Sequence, residues 1–324
     1  MISRYLFPLP VLFLVWLAGS AAGPASADPV AVEARPLPFS AEDPGRVAVG
    51  KLRFRGGLHL TSENPRFGGF SGLGVSADGT FLVAVSDKGQ RLSARVVYDA
   101  GGNLAGLAEA DLGPLADLRG FPLTDRDDAK AEAMSPGVEG EIIVAFEGEH
   151  RFWRYLPGRV VPEPMPSPDE LMDMPPNSGI KGLALLNDGR LLALTPGIRG
   201  RAGAIGWVSD KDGWSVLTFR QAEGFQVTGA ATLPDGDALV LERSFGLRGG
   251  NAARLTRVAA ASIQPGAVLG GDTVAELRPP LSVDNFEGVE ARRAADGKTL
   301  VYLISDDNFN AEQRTLLMMF ELLP

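Results

Sequence analysis

Apolar and polar positions along this chain fall into short runs broken every few residues by turn residues. One arrangement recurs: a strand of small residues, a Gly-containing turn, an aliphatic strand and a closing polar residue, in most copies an acid. It first appears as Phe70-Ser71-Gly72-Leu73-Gly74-Val75, the Asp78-Gly79 turn, and Phe81-Leu82-Val83-Ala84-Val85-Ser86-Asp87. It returns as Ala131-Glu132-Ala133-Met134 leading to Ile142 through Glu147, and as Lys181-Gly182-Leu183-Ala184 leading through Asn187-Asp188-Gly189 to Leu191 through Thr195. Thr228-Gly229-Ala230-Ala231 leads through Pro234-Asp235-Gly236 to Ala238 through Glu242, and Asp284-Asn285-Phe286-Glu287-Gly288 leads through Ala295-Asp296-Gly297 to Leu300 through Asp306. Each copy has the pattern of a β-hairpin.

With Gly72, Glu132, Gly182, Gly229 and Gly288 as markers, the copies are spaced by about 60, 50, 47 and 59 residues. A period of this size in a turn-rich β sequence is the signature of propeller blades. The expected fold is therefore all-β, a β-propeller with five to six four-stranded blades. Residues 91–128 leave room for a sixth blade, and unrelated hairpins in a β-sandwich are the alternative. An early strand within Val47–Leu60 and the last strand, Leu316–Leu322, would complete one blade between them and close the ring.

The ends and the composition refine this. Residues 1–27 read as a signal peptide: Arg4, an apolar run from Leu6 to Leu17 interrupted by Pro8 and Pro10, and Ala25-Ser26-Ala27 as a cleavage site. The run is shorter than a membrane span needs, so no membrane anchor is expected, and the expected location is the periplasm or the medium. Residues 28–46, rich in Pro, Ala and charge, read as a linker, and residues 47–324 as a single propeller domain, expected to be a monomer. The formal charge of -9 becomes about -10 after cleavage, which argues against nucleic acid as partner. Cysteine is absent, so disulfides, thiolate metal sites and a Cys nucleophile are excluded.

In a propeller the innermost strands line a channel, so the residue opening the first strand and the one closing the second should ring one mouth. The pairs are Ser71 with Asp87, Glu132 with Glu147, Lys181 with Thr195, Thr228 with Glu242, and Glu287 with Asp306. Glu132, Glu147, Lys181 and Glu242 are the candidate catalytic groups. The bases interleaved with the acids, Lys88, Arg91, His150, Arg151 and Arg243, are candidates for binding a phosphate-bearing or other small ester ligand. Crowded carboxylates need a compensating cation, and Ca²⁺ suits an all-oxygen site. Its candidate ligands are Asp87, Asp284, Asn285, Glu287, Asp306, Asp307 and Asn308. Asp and Asn that merely cap turns are the alternative. No serine sits in a Gly-x-Ser-x-Gly elbow, two histidines are too few for a His-rich metal site, and no phosphate-binding Gly loop opens a helix.

Gly72-Leu73-Gly74-Val75, Ser86-Asp87-Lys88-Gly89, Ala131-Glu132-Ala133, Phe146-Glu147 with His150-Arg151, Glu242-Arg243, Asp284 through Gly288 and Ser305-Asp306-Asp307-Asn308-Phe309 occur in this order. Together they resemble the phytase-like family of exported bacterial proteins, described as having esterase-like activity of phytase. The resemblance runs from about residue 50 to the end of the chain. It implies a β-propeller and a metal-assisted phosphoric ester hydrolase. One blade departs from the family pattern: Asn177-Ser178-Gly179-Ile180-Lys181-Gly182-Leu183 carries Lys181 where an acid is usual, and its second strand closes with Thr195-Pro196. Two functions follow as expectations: a Ca²⁺-assisted hydrolase of phosphate or related esters, or a non-catalytic propeller that binds a ligand or protein and uses metal only for stability. A lactonase-type metal propeller differs from the first mainly in substrate.

Overall fold

In the computed structural model, which describes residues 24–123, 128–197, 203–246 and 250–324, each repeated hairpin forms the two inner strands of one antiparallel sheet. Four strands precede the first hairpin: β1 (Asp28–Pro29), β2 (Glu33–Pro36), β3 (Ala48–Val49) and β4 (Leu52–Thr61). Blade 1 is β5 (Phe70–Val75), β6 (Phe81–Ser86), β7 (Gln90–Tyr98) and β8 (Leu104–Pro114), with β1 on its outer edge. Blade 2 is β9 (Ala131–Pro136), β10 (Ile142–Phe146), β11 (Arg151–Tyr155) and β12 (Glu163–Met165). Blade 3 is β13 (Gly182–Leu185), β14 (Leu191–Leu194), β15 (Ala204–Asp210) and β16 (Gly213–Phe219). Blade 4 is β17 (Gln226–Thr232), β18 (Ala238–Gly246), β19 (Gly250–Val258) and β21 (Asp272–Leu277), while the short β20 (Val268–Leu269) lies parallel against β16. Blade 5 is β22 (Phe286–Arg293), β23 (Thr299–Ser305) and β24 (Thr315–Leu322), completed by β4 and then β2.

The fold is a five-bladed propeller. Of residues 91–128, where a sixth blade had room, 91–114 belong to the outer half of blade 1, and the long spacing there reflects the lengths of β7 and β8, 9 and 11 residues. The expected closure is present: β4 pairs antiparallel with β24, Leu60 opposite Thr315 and Leu52 opposite Leu322. Two segments of the stretch read as a linker, 28–29 and 33–36, pair into the sheets. Its β1 pairs with β8 and its β2 with β4. Proline misled the reading, because an edge strand tolerates a residue that cannot donate on its outer side. Residues 1–23 of the expected signal peptide lie outside the described residues.

Strands in this chain look uniformly apolar because both faces of each blade are covered, one by the preceding blade and one by the next. Along β24, Leu316, Met318 and Phe320 pack toward blade 4, while Leu317 and Met319 pack toward blade 1. Five such apolar layers are present, one between each successive pair of blades. The innermost strands β5, β9, β13, β17 and β22 touch one another in that cyclic order. Small residues allow the approach. A Cβ at Gly229 would stand 2.6 Å from the Glu287 carbonyl oxygen, and one at Gly72 would stand 2.7 Å from Met134 Cβ.

Candidate active site

The channel mouth is shaped by a defect repeated in the hairpins. In blade 1, Phe70 is opposite Ser86 but Gly72 is opposite Val85, so Ser71 has no partner across the ladder. The same one-residue bulge isolates Glu132 in blade 2, Thr228 in blade 4 and Glu287 in blade 5. A bulge breaks the alternation of faces, so two consecutive residues can point into the channel. Ser71 with Gly72 and Glu287 with Gly288 both do so. Glycine follows the bulged residue in blades 1, 4 and 5, leaving the narrow channel free for it.

These bulges gather charges around one mouth. Lys181, immediately before β13, donates from Nζ to Glu132 Oε2 at 2.6 Å and lies 3.5 Å from Glu147 Oε2. Glu147 Oε1 accepts from the Gly179 backbone N–H at 3.1 Å. Arg243 Nη2 stands 3.7 Å from Glu287 Oε1. Burial alone would push the Lys181 ammonium down, but Glu132, Glu147 and Glu287 outweigh it and hold the lysine above its ordinary value. Burial raises Glu287, against the pull of Lys181 and Arg243, and raises Glu147 against Lys181. Burial followed by the charge of Glu132 lifts Asp87 to about 6, and burial followed by the charge of Glu287 lifts Asp306 to about 8. Asp87, Glu132, Glu147, Lys181, Glu287 and Asp306 therefore form one electrostatic unit.

Other expected residues are placed elsewhere. Glu242 had been matched with Asp87, Glu147 and Asp306, but those follow the ends of β6, β10 and β23, whereas β18 runs on to Gly246. By register Glu242 is opposite Val227 as Ser86 is opposite Phe70, so Arg243 holds the mouth position. A slip of one residue reverses the face. Glu242 accordingly turns into its own blade, accepting from Ala222 N at 2.8 Å and Thr256 Oγ1 at 2.9 Å. Arg91 lines a side cavity of about 300 Å³ with Tyr155 and Arg159. Arg151 stacks 4.3 Å from the Phe146 ring centre and 4.4 Å from that of Trp153, and donates to the Glu149 and Asp128 carbonyls. His150 is buried behind Glu147, with Nε2 against the carbonyls of Met174 and Pro175. Among the expected ligand-binding bases, Lys88 and Arg243 reach the mouth.

The expected cation ligands also divide. Asp284 is clamped by Arg314, Nε to Oδ2 at 3.0 Å. Asp307 accepts from the Gly69 and Phe309 backbone N–H groups and from Thr315 Oγ1, and Asn308 donates to Gln313. Asp87, Asn285, Glu287 and Asp306 remain at the mouth. Asn285 is 1% exposed, and its side chain lies against the Glu287 carboxyl, whose charged form it favours, although neither amide atom reaches full hydrogen-bond geometry. Three carboxylates and a buried amide are the donor chemistry of a hard cation. As placed, no three acids or histidines among the described residues converge closely enough to enclose one ion.

Phe309, absent from the expected site, forms one wall: Lys88 Nζ lies 3.0 Å above its ring centre. Gly69, at φ 67°, makes room for it, since a Cβ there would collide with both Asp87 and Phe309. The sequence signal for this wall is the Gly68-Gly69 pair immediately before the first hairpin.

A family model described as phytase-like, esterase-like activity of phytase, matches residues 65–309. The chain belongs to this family. The matched span of this phytase-like propeller begins just before β5 and ends on Phe309. A search of the curated proteins finds no match. Among solved structures, a putative gluconolactonase is similar at 13% identity and TM-score 0.46, over 92% of this chain and 93% of that one. A protein of unknown function from Dyadobacter fermentans is similar at 13% identity and TM-score 0.42, over 91% of this chain and 95% of that one. A luciferin-regenerating enzyme is similar at 12% identity and TM-score 0.38, over 78% and 92%.

Proposed function

We propose that this phytase-like propeller is an exported hydrolase of phosphate esters or related small esters, working at the Lys181 mouth in the periplasm or the medium. The observation that carries the reading is the set of bulged residues: backbone irregularities at matching positions aim Glu132 and Glu287 into one mouth, where Asp87 and Asp306 are also held above the ordinary carboxylate range. Buried carboxyls with displaced and unequal proton affinities are the equipment of acid–base hydrolysis. Asp306, protonated near neutrality, is suited to give a proton to the departing alcohol oxygen. Asp87 is suited to take one from the attacking water. Glu132 and Glu147 hold Lys181 in one place, and Lys181 with Lys88 and Arg243 attracts the anionic part of the ester.

Asp87, Glu287, Asp306 and the Asn285 amide carry the donor types that Ca²⁺ takes, and they would have to draw together from their present positions to hold it. Bound there, the ion would polarise the ester oxygen and keep Asp306 ionised, so it would take the place of the proton that Asp306 gives in the cation-free reaction. The competing reading is a ligand-binding propeller without catalysis, favoured by the two glutamates that already engage Lys181.

The experiment is turnover of generic phosphate and carboxylate esters by the purified protein, with and without chelator. Chelator-sensitive turnover supports the cation-assisted reaction, and chelator-insensitive turnover supports the carboxyl pair acting alone. Absence of turnover in both conditions, together with a large rise in Tm on adding Ca²⁺, would favour the binding propeller instead.

A further inference from the structure

The loop that follows β23 holds Phe309 in a conformation that bulky side chains rarely adopt. Asn308 and Phe309 lie at φ 48° and 50°, both in the left-handed region. Such a backbone persists only where its surroundings over-determine it. Here Asp306 Oδ1 accepts from the Asn308 N–H at 2.6 Å, and Asp307 Oδ1 accepts from the Phe309 and Gly69 N–H groups, each at 3.0 Å. Thr315 Oγ1 donates to Asp307 Oδ2 at 3.0 Å, and the Asn310 N–H donates to the Asp307 carbonyl at 2.8 Å.

This braced loop delivers one aromatic ring to one ammonium, Lys88 Nζ, which stands 3.0 Å above the ring centre. The other cations of the mouth are steered by carboxylates, Lys181 by Glu132 and Glu147, and Arg243 by Glu287. Lys88 joins none of these pairs. An aromatic face attracts a cation through its quadrupole, and without the ring the exposed Lys88 would swing on a flexible four-carbon stem. A carboxylate partner would offset the lysine's charge, whereas a neutral ring fixes the ammonium and leaves its charge whole. The ring covers one side of the ammonium, so N–H donors on the other side stay free for an anion. Lys88 is also close to the reacting groups. Burial and the charge of Glu132 raise Asp87, and of the two lysines that oppose them Lys88 acts more strongly than Lys181.

We propose that Phe309 is a positioning residue, whose ring fixes Lys88 at the mouth so that the ammonium meets the anionic oxygens of a phosphate group. This rests on the hydrolase reading above and adds to it the element that selects a charged ester over a neutral one.

Lysine ε-methylene resonances of isotope-labelled protein read the placement directly, because the ring current moves protons above an aromatic face upfield. One lysine signal is expected upfield of the others, lost in Lys88→Met and in Phe309→Leu and retained in Phe309→Tyr. With p-nitrophenyl phosphate as substrate, Phe309→Leu should raise KM about three- to tenfold at unchanged kcat, the cost of ordering one long side chain on binding. Phe309→Tyr should restore KM, and KM for the uncharged p-nitrophenyl acetate should not move. Added to Lys88→Met, Phe309→Leu should change nothing further, because it acts through the lysine. The assignment of Phe309 is overturned if the parent protein shows no upfield lysine signal. It is equally overturned if Phe309→Leu leaves or lowers KM for the phosphate ester, or raises KM for both esters alike. Absence of turnover on both esters would sink the hydrolase reading alone. In that case, or where only the acetate is hydrolysed, inorganic phosphate titrated into the labelled protein decides: it should move the upfield signal saturably, and a signal indifferent to phosphate overturns the assignment.

Discussion

Lys181 Nζ and Glu132 Oε2 meet at 2.6 Å across the boundary between blades 3 and 2, and that contact sets the charge balance of the mouth. Glu147, at 3.5 Å from the same nitrogen, leans on it too. Removing the lysine leaves several buried carboxylates without their cation. Lys181→Met should therefore lower stability by about 3–5 kcal/mol at pH 8, as for other broken buried pairs. The loss should shrink at pH 5, where the freed carboxyls take up protons. Urea denaturation at the two pH values checks this, and equal losses would show that Lys181 does not carry the balance.

Glu290 yields a pH dependence with a defined sign. Burial lifts its folded value to about 8, above its unfolded value, so its contribution to stability is complete below the unfolded value and disappears as pH rises through about 8. Glu290→Gln keeps the shape and removes the titration. The variant should match the parent near pH 4 and be more stable at pH 9, read as Tm against pH. A constant difference across that range would contradict the assignment.

Asp306→Asn separates chemistry from folding. Near neutrality the parent carboxyl is already protonated in the absence of a cation, so an amide of the same size should leave Tm at pH 7 almost unchanged. Turnover should fall by roughly a hundredfold or more through kcat, the usual weight of a positioned proton donor. An unaltered kcat would remove Asp306 from the proposed reaction.

Glu242→Ala should behave in the opposite way. It strips acceptors from Ala222 N and Thr256 Oγ1 and leaves Arg254, 3.8 Å away, facing a gap. A loss of about 2–4 kcal/mol is expected from the orphaned buried donors, with kcat of the folded protein unchanged. A kcat collapse at full stability would return Glu242 to the mouth.

Much of the architecture was readable because the hairpins repeat. Small residue, turn, aliphatic strand and closing group recur in each blade, and the β4–β24 closure follows from two unpaired strand patterns near the ends. The individual side chains were less readable. A bulge is a relation between two strands and leaves no mark on one of them, so Glu132 and Glu287 were found as repeat positions while the means of aiming them was not. The same blindness to register misplaced Glu242, since nothing in Ala238 through Glu242 tells that β18 continues to Gly246. Arg151 was misjudged because a guanidinium can serve flanking aromatic rings as readily as a ligand.

The β4–β24 pairing also governs what breaking the backbone would do. Its partners lie roughly 250 residues apart in sequence, so joining them closes a very long loop. Once joined, every blade is held by neighbours on both sides, and a single cut in a connection between blades frees neither fragment. A protease that nicks one exposed interblade turn should give two bands under denaturing electrophoresis but one species in native gel filtration. The intact fold is thus a continuous hoop whose integrity resides in its apolar layers more than in the covalent chain.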